Sequence, residues 1–314
     1  MDLCIWDKCN NKCKMCSNPD LPWYSSDGVV EGAYDYDKLK KRLKKQLGKE
    51  IDGKPCVESV LFTGGEPTLQ PKFLELIDFL EKDYPEIHIG MLTNGRIFSY
   101  QNFTSQLMKH DNLYIGMSLY GHDEESHDAV TRAKGSFSQT VKGIRNVLLA
   151  KNSSHTIELR TVISGMSYKN LDKTLEFIKE SFPDVDRVIM IFIEYEGQLM
   201  KYLEDTQITY TELAPYLEKS YGLIKSLPGV RLFHFPLCVV EPKLWPYTWR
   251  TLPKTEVDFL PICNDCDYRK YCLGIHKTYL KHIGKDEFSP PQINVKIIED
   301  KDDFKHHPIR AIEK

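Results

Sequence analysis

Hydrophobic positions along residues 1–228 alternate between two periods. Short apolar runs predict strands at 3–6, 57–62, 88–92, 113–118, 156–162 and 187–192. Longer stretches with helical spacing predict helices at 36–47, 71–82, 100–109, 137–150 and 169–181, with a further helix at 210–227. Because a helix follows each of the first five strands, the pattern predicts parallel strands joined by right-handed crossovers and covered by helices.

Six βα units fit either an open doubly wound sheet or a partial barrel, and the pattern alone does not separate the two. In both folds, ligands bind at the carboxyl ends of the strands. The βα rhythm stops near Pro228, after which Pro, Trp, Tyr and Cys become more frequent. The predicted domains are therefore a βα domain with its following helix at 1–228, a small cysteine-containing domain at 229–292, and a C-terminal strand with a charged tail at 293–314.

The composition is typical of a soluble globular protein, with 41% hydrophobic and 28% charged residues in a chain of 314. The net charge is −3, and the absence of a basic excess argues against a nucleic-acid-binding protein. No apolar run reaches the roughly 18 residues that a membrane-spanning helix needs. The first residues lack the basic and apolar regions of a secretion signal, so the expected location is cytoplasmic.

Nine cysteines in a chain expected to stay in a reducing compartment favour metal binding or catalysis over disulfides. Cys9, Cys13 and Cys16 have the spacing C-x3-C-x2-C and directly follow the first predicted strand. Three thiolates on one loop suit a [4Fe–4S] cluster whose fourth iron has no protein ligand. A zinc site completed by a distant ligand, or simple packing, are the alternatives. Cys4 and Cys56 are expected to be small buried residues.

A second group of cysteines has the spacing C-x2-C-x5-C at Cys263, Cys266 and Cys272. Cys238 lies upstream and supplies a fourth thiolate. Four thiolates suit either a structural zinc ion or a [4Fe–4S] cluster, since both metals accept this ligand set.

The second predicted strand ends in a turn of sequence Gly64-Gly65-Glu66-Pro67. Two glycines permit close backbone approach, but alone they would predict only a simple strand-to-helix turn. Together with Cys9, Cys13 and Cys16, this turn resembles the radical S-adenosylmethionine (SAM) superfamily. The resemblance implies an α/β fold, a partial (β/α)6 barrel, with a small C-terminal domain that holds an auxiliary cluster.

In that superfamily, the open iron of the cluster binds SAM, and one electron cleaves SAM to methionine and a 5′-deoxyadenosyl radical that abstracts hydrogen from substrate. The resemblance makes Cys9, Cys13 and Cys16 the ligands of this cluster. It assigns the contact with the methionine amino group of SAM to the turn Gly64, Gly65, Glu66 and Pro67. It assigns the contact with adenine to the flexible thioether of Met15, and the contact with the ribose or carboxylate to Ser118 and Arg160. The alternatives for the last two are a plain strand-end serine and a surface ion-pair arginine.

Glu194, Tyr195 and Glu196 follow the sixth predicted strand. Two carboxylates and a phenol at the mouth of a barrel are candidates for a proton or radical relay, or for substrate binding. Solvated loop charges are the alternative. Thr93-Asn94-Gly95, after the third strand, either lines the mouth or forms a plain turn.

The nearest resemblance is to the radical SAM protein of His-Xaa-Ser repeat systems, carried by segments 10–17, 64–69, 158–162 and 235–238. It implies hydrogen abstraction from a peptide or protein during peptide maturation, an external electron donor, and a second [4Fe–4S] cluster, with zinc as the alternative metal, at Cys238, Cys263, Cys266 and Cys272. Since the first cluster loop begins at Cys9, we expect a separate protein to present the peptide. Two other hypotheses are radical chemistry on a small molecule in cofactor or natural-product biosynthesis, and a non-catalytic zinc or iron–sulfur protein.

Overall fold

The computed structural model describes residues 1–18, 32, 34–51, 54–299 and 309–313. Within these residues, one parallel sheet contains eight strands, which lie side by side in the order of the chain. They are β1 Asp2–Trp6, β2 Ser59–Gly64, β3 His88–Thr93, β4 Leu113–Ser118, β5 Thr156–Ile163, β6 Arg187–Phe192, β7 Arg231–Phe233 and β8 Thr248–Trp249. Because β1 and β8 do not pair, the sheet stays open, and the predicted α/β partial barrel is confirmed.

The helices of the βα units cover one face of this sheet. The described part of the chain contains the following helices. They are α1 Tyr36–Leu47, α2 Phe73–Asp83, α3 Gln101–Leu107, α4 Glu124–Thr131, α5 Ser136–Ala150, α6 Leu171–Ser181, α7 Leu203–Thr206, α8 Tyr210–Lys219, α9 Tyr221–Ser226 and α10 Lys277–His282. Strand residues facing them, such as Leu159, Met190 and Leu232, have no exposed surface and belong to the hydrophobic core. Among these helices, none has the length and apolar character needed to cross a membrane.

Some elements differ from the predicted ones. The predicted helix at 210–227 is two helices, α8 and α9, which meet at Ser220. Helix α4 was not predicted, because it has only eight residues and few of them are apolar; a capping box between Asp123 and Ser126 starts it. Strands β7 and β8 were also missed, since runs of three and two residues carry no periodic signal.

In the part of the chain that the structure describes, three antiparallel strand pairs lie outside the main sheet. Their strands are Glu50–Ile51 with Lys54–Pro55, Val257–Asp258 with Ile275–His276, and Lys296–Glu299 with Ile309–Glu313. Residues 300–308 and 314 of the predicted charged tail lie outside the described residues. The prediction that Cys56 is buried is wrong: Cys56 is exposed just before β2, where its backbone N–H donates to Lys49 O at 3.0 Å. Cys4 is buried, as predicted.

Candidate active site

The loop that follows β1 carries three cysteines and is held by backbone hydrogen bonds. The Lys12 N–H donates to the Thr131 carbonyl at 2.8 Å, and the Lys14 N–H donates to the Val130 carbonyl at 3.0 Å. Both acceptors lie at the C-terminal end of α4, where helix carbonyls lack partners within the helix. Met15 is only 5% exposed and packs in the hydrophobic core rather than at the loop surface.

The thiols of Cys9, Cys13 and Cys16 share one environment. Burial first, and then the charges of Glu66 and Cys16, raise the pKa of the Cys9 thiol to about 11. Burial and the two neighbouring thiols raise the pKa of Cys13, and burial raises the pKa of Cys16. Thiolates gathered in this way need positive charge to stabilise them, and a bound metal cluster supplies it. The three donors therefore fit the iron–sulfur cluster expected from the sequence.

Gly64 and Gly65 bring the end of β2 against the start of the cysteine loop. Gly64 has φ +137°, and a Cβ added to it would lie 2.2 Å from the Trp6 carbonyl oxygen. A Cβ on Gly65 would lie 2.4 Å from the Lys8 carbonyl oxygen. The Gly65 N–H donates to Trp6 O, and the Glu66 N–H donates to Lys8 O, both at 2.9 Å. The two glycines thus set the distance between this turn and the cysteine loop.

The Glu66 side chain is 1% exposed and ties β2 to β3. Its Oε1 accepts hydrogen bonds from the hydroxyls of Thr68 at 2.6 Å and Thr93 at 2.7 Å, and its Oε2 accepts one from the Asn94 N–H at 2.7 Å. Burial raises the pKa of this carboxyl, and the hydrogen bonds oppose that shift. Both carboxylate oxygens bind donors of the chain. The contact of this turn with the amino group of SAM stays a prediction. Pro67 is buried and begins a short 3₁₀ helix.

Residues after β3 hold the cysteine loop, a role that the sequence did not reveal for Arg96. Its guanidinium donates to Asn10 O at 2.5 Å and to Asn11 Oδ1 at 2.7 Å. The Asn94 amide donates to Asn10 Oδ1 at 2.7 Å and reaches the Cys9 sulfur at 3.8 Å. The sequence feature that pointed to this contact with the cysteine loop was Thr-Asn-Gly at the end of the third predicted strand. This segment forms a turn, and its Asn94 side chain contacts the cysteine loop.

Ser118 and Arg160 lie side by side in register on β4 and β5. The Arg160 guanidinium donates to Glu158 Oε1 at 2.6 Å, and the Tyr114 hydroxyl donates to the same oxygen at 2.6 Å. The Glu158 side chain is 2% exposed and that of Arg160 is 17% exposed. Arg160 therefore forms a buried ion pair inside the sheet's curve, and its guanidinium keeps further donors for a ligand.

The segment after β6 separates the three residues that the sequence grouped there. Glu194 is partly exposed and Glu196 is exposed. Tyr195 is 1% exposed, and its hydroxyl donates to the Ile208 carbonyl at 2.5 Å and accepts from the Ile208 N–H at 2.9 Å. The Tyr195 phenol is therefore part of the core and is not brought to the mouth of the barrel.

Two histidines that the sequence did not connect to the site lie near Glu194. His234 Nδ1 is 3.5 Å from Glu194 Oε1, and the His234 and His276 ring centroids are 6.3 Å apart. Burial lowers the pKa of His234 to about 4 and lowers the pKa of His276. Burial and then the Glu194 charge raise the pKa values of Glu196 and Glu256. Two histidines and two carboxyl groups thus lie near Glu194. They come from segments too far apart in sequence to form a motif.

The second cysteine group lines a pocket with about 30 Å³ of free space. Cys238, Cys263, Cys266 and Cys272 all contribute to it, and most of the remaining lining is apolar. The Cys272 sulfur accepts hydrogen bonds from the N–H groups of Leu237 at 3.4 Å and Gly274 at 3.5 Å. Burial, and then the nearby thiols, raise the pKa of Cys238 to about 12. The fold thus brings together the four thiols that the spacing singled out.

Comparisons with curated proteins give distant relatives. Molybdenum cofactor biosynthesis protein moc-5 of Caenorhabditis elegans is 22% identical over 222 residues, which cover 70% of this chain and 34% of moc-5. The antilisterial bacteriocin subtilosin biosynthesis protein AlbA of Bacillus subtilis (strain 168) is 30% identical over 102 residues, which cover 32% of this chain and 21% of AlbA. The chain therefore spans no more than about a third of the length of either relative.

Two solved structures share the fold. Native anSMEcpe with bound AdoMet has a TM-score of 0.54 at 20% identity, covering 72% of this chain and 60% of that one. Streptococcus suis SuiB bound to precursor peptide SuiA has a TM-score of 0.50 at 17% identity, covering 72% of this chain and 46% of that one. The family model for the radical SAM superfamily matches residues 3–178, which is more than half of the chain. The chain therefore belongs to the radical SAM superfamily, a family that uses a [4Fe–4S] cluster and SAM.

Proposed function

We propose that the chain is a radical SAM enzyme that modifies a peptide or protein. The observation that carries the proposal is the single loop on which Cys9, Cys13 and Cys16 lie, packed against the Gly64-Gly65 turn. A [4Fe–4S] cluster held there would supply the electron for reductive cleavage of SAM, and the resulting 5′-deoxyadenosyl radical would abstract hydrogen from the substrate.

The surrounding residues have supporting roles in this proposal. The three cysteines hold the cluster, while Arg96 and Asn94 fix the loop through Asn10. Ser118 and Arg160 bind the polar groups of SAM, and Glu158 orients the Arg160 guanidinium by the hydrogen bond at 2.6 Å. A planar guanidinium held at one nitrogen can still donate to a ribose hydroxyl or a carboxylate.

Glu194 is the residue that we propose moves a proton to or from the substrate. His234 lies 3.5 Å from its carboxylate, and burial lowers the pKa of that imidazole to about 4. At neutral pH the imidazole is therefore uncharged, and its Nδ1–H donates to the Phe192 carbonyl at 3.1 Å, so it forms no ion pair with Glu194. Glu196 is exposed and stays a weaker candidate for substrate binding at the same mouth.

The sequence context supports iron–sulfur clusters at both cysteine groups. Four thiolates suit either a structural zinc ion or a [4Fe–4S] cluster, so the ligand set alone does not decide the metal at the second group. The spacing C-x2-C-x5-C after the βα domain resembles the auxiliary-cluster domains of radical SAM enzymes. We therefore favour a second [4Fe–4S] cluster over zinc at Cys238, Cys263, Cys266 and Cys272.

A peptide substrate is supported by two likenesses. The sequence resembles the radical SAM protein of His-Xaa-Ser repeat systems, and AlbA, a bacteriocin biosynthesis protein, is 30% identical over 102 residues. In this proposal a separate leader-binding protein presents the peptide, and an external donor supplies electrons. Crosslinking or epimerisation would follow hydrogen abstraction.

Radical chemistry on a small molecule is the second candidate. It is favoured by moc-5, a molybdenum cofactor biosynthesis protein that matches 70% of this chain. A short peptide encoded beside this chain separates the two functions. A mass change in that peptide, dependent on SAM and reductant, supports the first function, whereas an unchanged peptide beside a converted small metabolite supports the second.

The test of the enzyme itself is anaerobic reconstitution with iron and sulfide, followed by dithionite and SAM and an assay for 5′-deoxyadenosine. We expect the wild-type chain to form 5′-deoxyadenosine and Cys13→Ala to lose it, because the buried central thiol of the loop is gone. Cys56→Ala is the matched control, since Cys56 is exposed and lies in neither cysteine group. Cleavage retained by Cys13→Ala, or no cleavage by folded wild-type protein, would contradict the proposal.

A further inference from the structure

The face of the sheet that turns away from the helices carries three arginines. Ser118, Arg160, Ile189 and Arg231 are paired in one register row across β4, β5, β6 and β7. Side chains in such a row point to the same face of a parallel sheet, and neighbouring strands are about 4.8 Å apart. Arg231 therefore faces the same space as Arg160, about 10 Å away.

Arg187 joins this face one pleat lower, because it is paired with Glu158. The face is thus defined by Glu158, Arg160, Arg187 and Arg231, which carry three positive charges and one negative charge. The Glu158 carboxylate forms its ion pair with Arg160 at 2.6 Å and forms none with the other two arginines, although its charge partly offsets the burial of Arg231. No carboxylate among the described residues lies within ion-pair distance of Arg187 or Arg231.

The Arg231 guanidinium has an aromatic partner but no acceptor. It lies 3.7 Å from the centroid of the Trp249 ring, which holds its plane against an indole. The described part of the chain offers it no hydrogen-bond acceptor, although it is half-buried. An arginine stacked in this way keeps its five donors in one plane, ready for a planar anion.

The electrostatics agree with this geometry. Burial first, and then the charge of Arg187, lower the pKa of Arg231 to about 10. An arginine paired with a carboxylate would shift in the opposite direction. Burying a charge without a partner is unfavourable, and a bound anion would offset that penalty.

We propose that Arg231, stacked on Trp249 and assisted by Arg187, binds a carboxylate of the peptide substrate on the inner face of the sheet. The inference rests on the proposed function and specifies that the substrate carries a carboxylate. The fold already contains the same pairing, since Arg160 binds the Glu158 carboxylate on β5. The carboxylate belongs either to an Asp or Glu side chain or to the C-terminus of the peptide.

The position also fits the proposed SAM site. Arg231 shares a register row with Ser118 and Arg160, and Ile189 separates it from them. Phe233 and Trp249 are paired one pleat closer to the carboxyl ends of the strands. A peptide anchored at Arg231 would therefore run along aromatic side chains toward the mouth where the cysteine loop lies.

The test measures binding of capped tripeptides to reconstituted protein at pH 7 by saturation-transfer difference NMR. The probes are acetyl-Gly-Asp-Gly-amide, acetyl-Gly-Gly-Gly with a free carboxylate, the neutral acetyl-Gly-Asn-Gly-amide, and inorganic phosphate as competitor. We expect at least one carboxylate peptide to bind more tightly than the neutral one, and the better of the two identifies the source of the carboxylate. Equal binding of neutral and charged peptides, or stronger binding of phosphate than of either carboxylate, would overturn the proposal.

The variants assign this binding to Arg231. Arg231→Gln should weaken the carboxylate peptides by roughly tenfold or more, the size of a lost charge-assisted hydrogen bond. Arg231→Lys keeps the charge but not the planar fork, so an intermediate loss is expected. Arg145→Gln removes an exposed arginine on α5 and should leave peptide binding unchanged. Binding of wild-type strength in Arg231→Gln would contradict the assignment.

The two proposals fail in different ways. If wild-type protein cleaves SAM but does not prefer carboxylate peptides, only the present inference is wrong. If carboxylate peptides bind through Arg231 but SAM is not cleaved, the enzymatic proposal is wrong. SAM affinity and unfolding temperature, measured for each variant, show whether a loss of peptide binding reflects a loss of fold.

Discussion

No residue with a side chain can replace Gly65 unless the backbone beside Cys9 moves. A Cβ there would lie 2.4 Å from Lys8 O and 3.1 Å from Cys9 N. Both contacts are to main-chain atoms, which cannot rotate away as a flexible side chain can. The hydrogen bond from Glu66 N to Lys8 O would have to lengthen with them. The geometry of the cysteine loop therefore depends on the absence of a methyl group.

Gly65→Ala should lower the free energy of unfolding by about 1–3 kcal/mol, as overpacking does in a dense interior. It should also reduce the iron retained by the first cysteine group. Gly222→Ala is the control, because a Cβ on Gly222 meets nothing within 4 Å. Urea unfolding and iron analysis of both variants check the expectation, and equal behaviour of the two would refute it.

Single residues were predictable where their chemistry is local in sequence. The three cysteines and the two glycines each belong to a short motif, so their spacing was enough to group them. Arg231 and Trp249 meet only because β7 and β8 pair, and His234 approaches Glu194 across two strand ends. Local spacing contains no information about such pairs, because the sheet alone brings them together.

Helix α4 links the cysteine loop to the rest of the fold. Its last carbonyls, on Val130 and Thr131, accept the loop's backbone N–H groups. Inside the helix, His127 is 1% exposed, and its Nδ1 accepts from the Tyr120 N–H at 3.2 Å. Burial lowers the pKa of His127 to about 4, because the charged imidazole would lose its hydration. Protonation of this one side chain would therefore loosen the helix that supports the loop.

A pH dependence of stability follows from His127. Its pKa is about 4 in the fold and ordinarily 6.5, so the unfolded chain binds more protons between these values. Stability should be unaffected by this group above pH 6.5 and should fall as the pH drops toward 4, by up to about 3 kcal/mol. His127→Asn, which keeps an acceptor but cannot titrate, should reduce the slope of the free energy of unfolding against pH.

The matched control for that experiment is His88→Asn, since His88 is exposed at the start of β3. Urea unfolding from pH 4 to pH 8 gives the slope for each protein. His127→Asn with the same slope as the wild-type chain would show that this histidine does not carry the acid sensitivity.

Elements with a full hydrophobic period were predicted closely, and short ones were not. The strand predicted at 57–62 is Ser59–Gly64, and the helix predicted at 137–150 is Ser136–Ala150. Helix α4 buries only His127, Val130 and Thr131, so its pattern is too weak to recognise. The single helix predicted at 210–227 is divided at Ser220, because an amphipathic pattern continues across a short break.

At the scale of the whole molecule, the sheet connects the two cysteine groups. Cys238 lies five residues beyond the end of β7, and the Trp245 indole N–H donates to Leu237 O beside it at 2.9 Å. The Tyr210 hydroxyl, from α8, donates to His234 O at 2.7 Å. The segment between β7 and Cys238 is thus fixed to the sheet and to a helix. The second cysteine pocket is an extension of the sheet's last strands rather than a loosely attached module.

Cys266→Ala should lower the iron content of reconstituted protein by about four atoms if the second site holds a [4Fe–4S] cluster. Cys266 lines the pocket with Cys238, Cys263 and Cys272, so one substitution removes a quarter of its thiols. Iron, sulfide and zinc analysis beside Cys56→Ala tests this. Unchanged iron together with lost zinc would assign the pocket to zinc.

The order of the strands in the sheet, which is the order of the chain, has a consequence during synthesis. Each strand emerges when its partner is already made, so the sheet can grow from one edge as translation proceeds. The cysteine loop is an exception, because Val130 and Thr131 follow Cys16 by more than 100 residues. At about 5–20 residues per second, the loop's thiols wait roughly 6–23 s for these partners. Iron–sulfur assembly on this loop therefore belongs after translation of α4, and until then the nascent thiols need protection from oxidation.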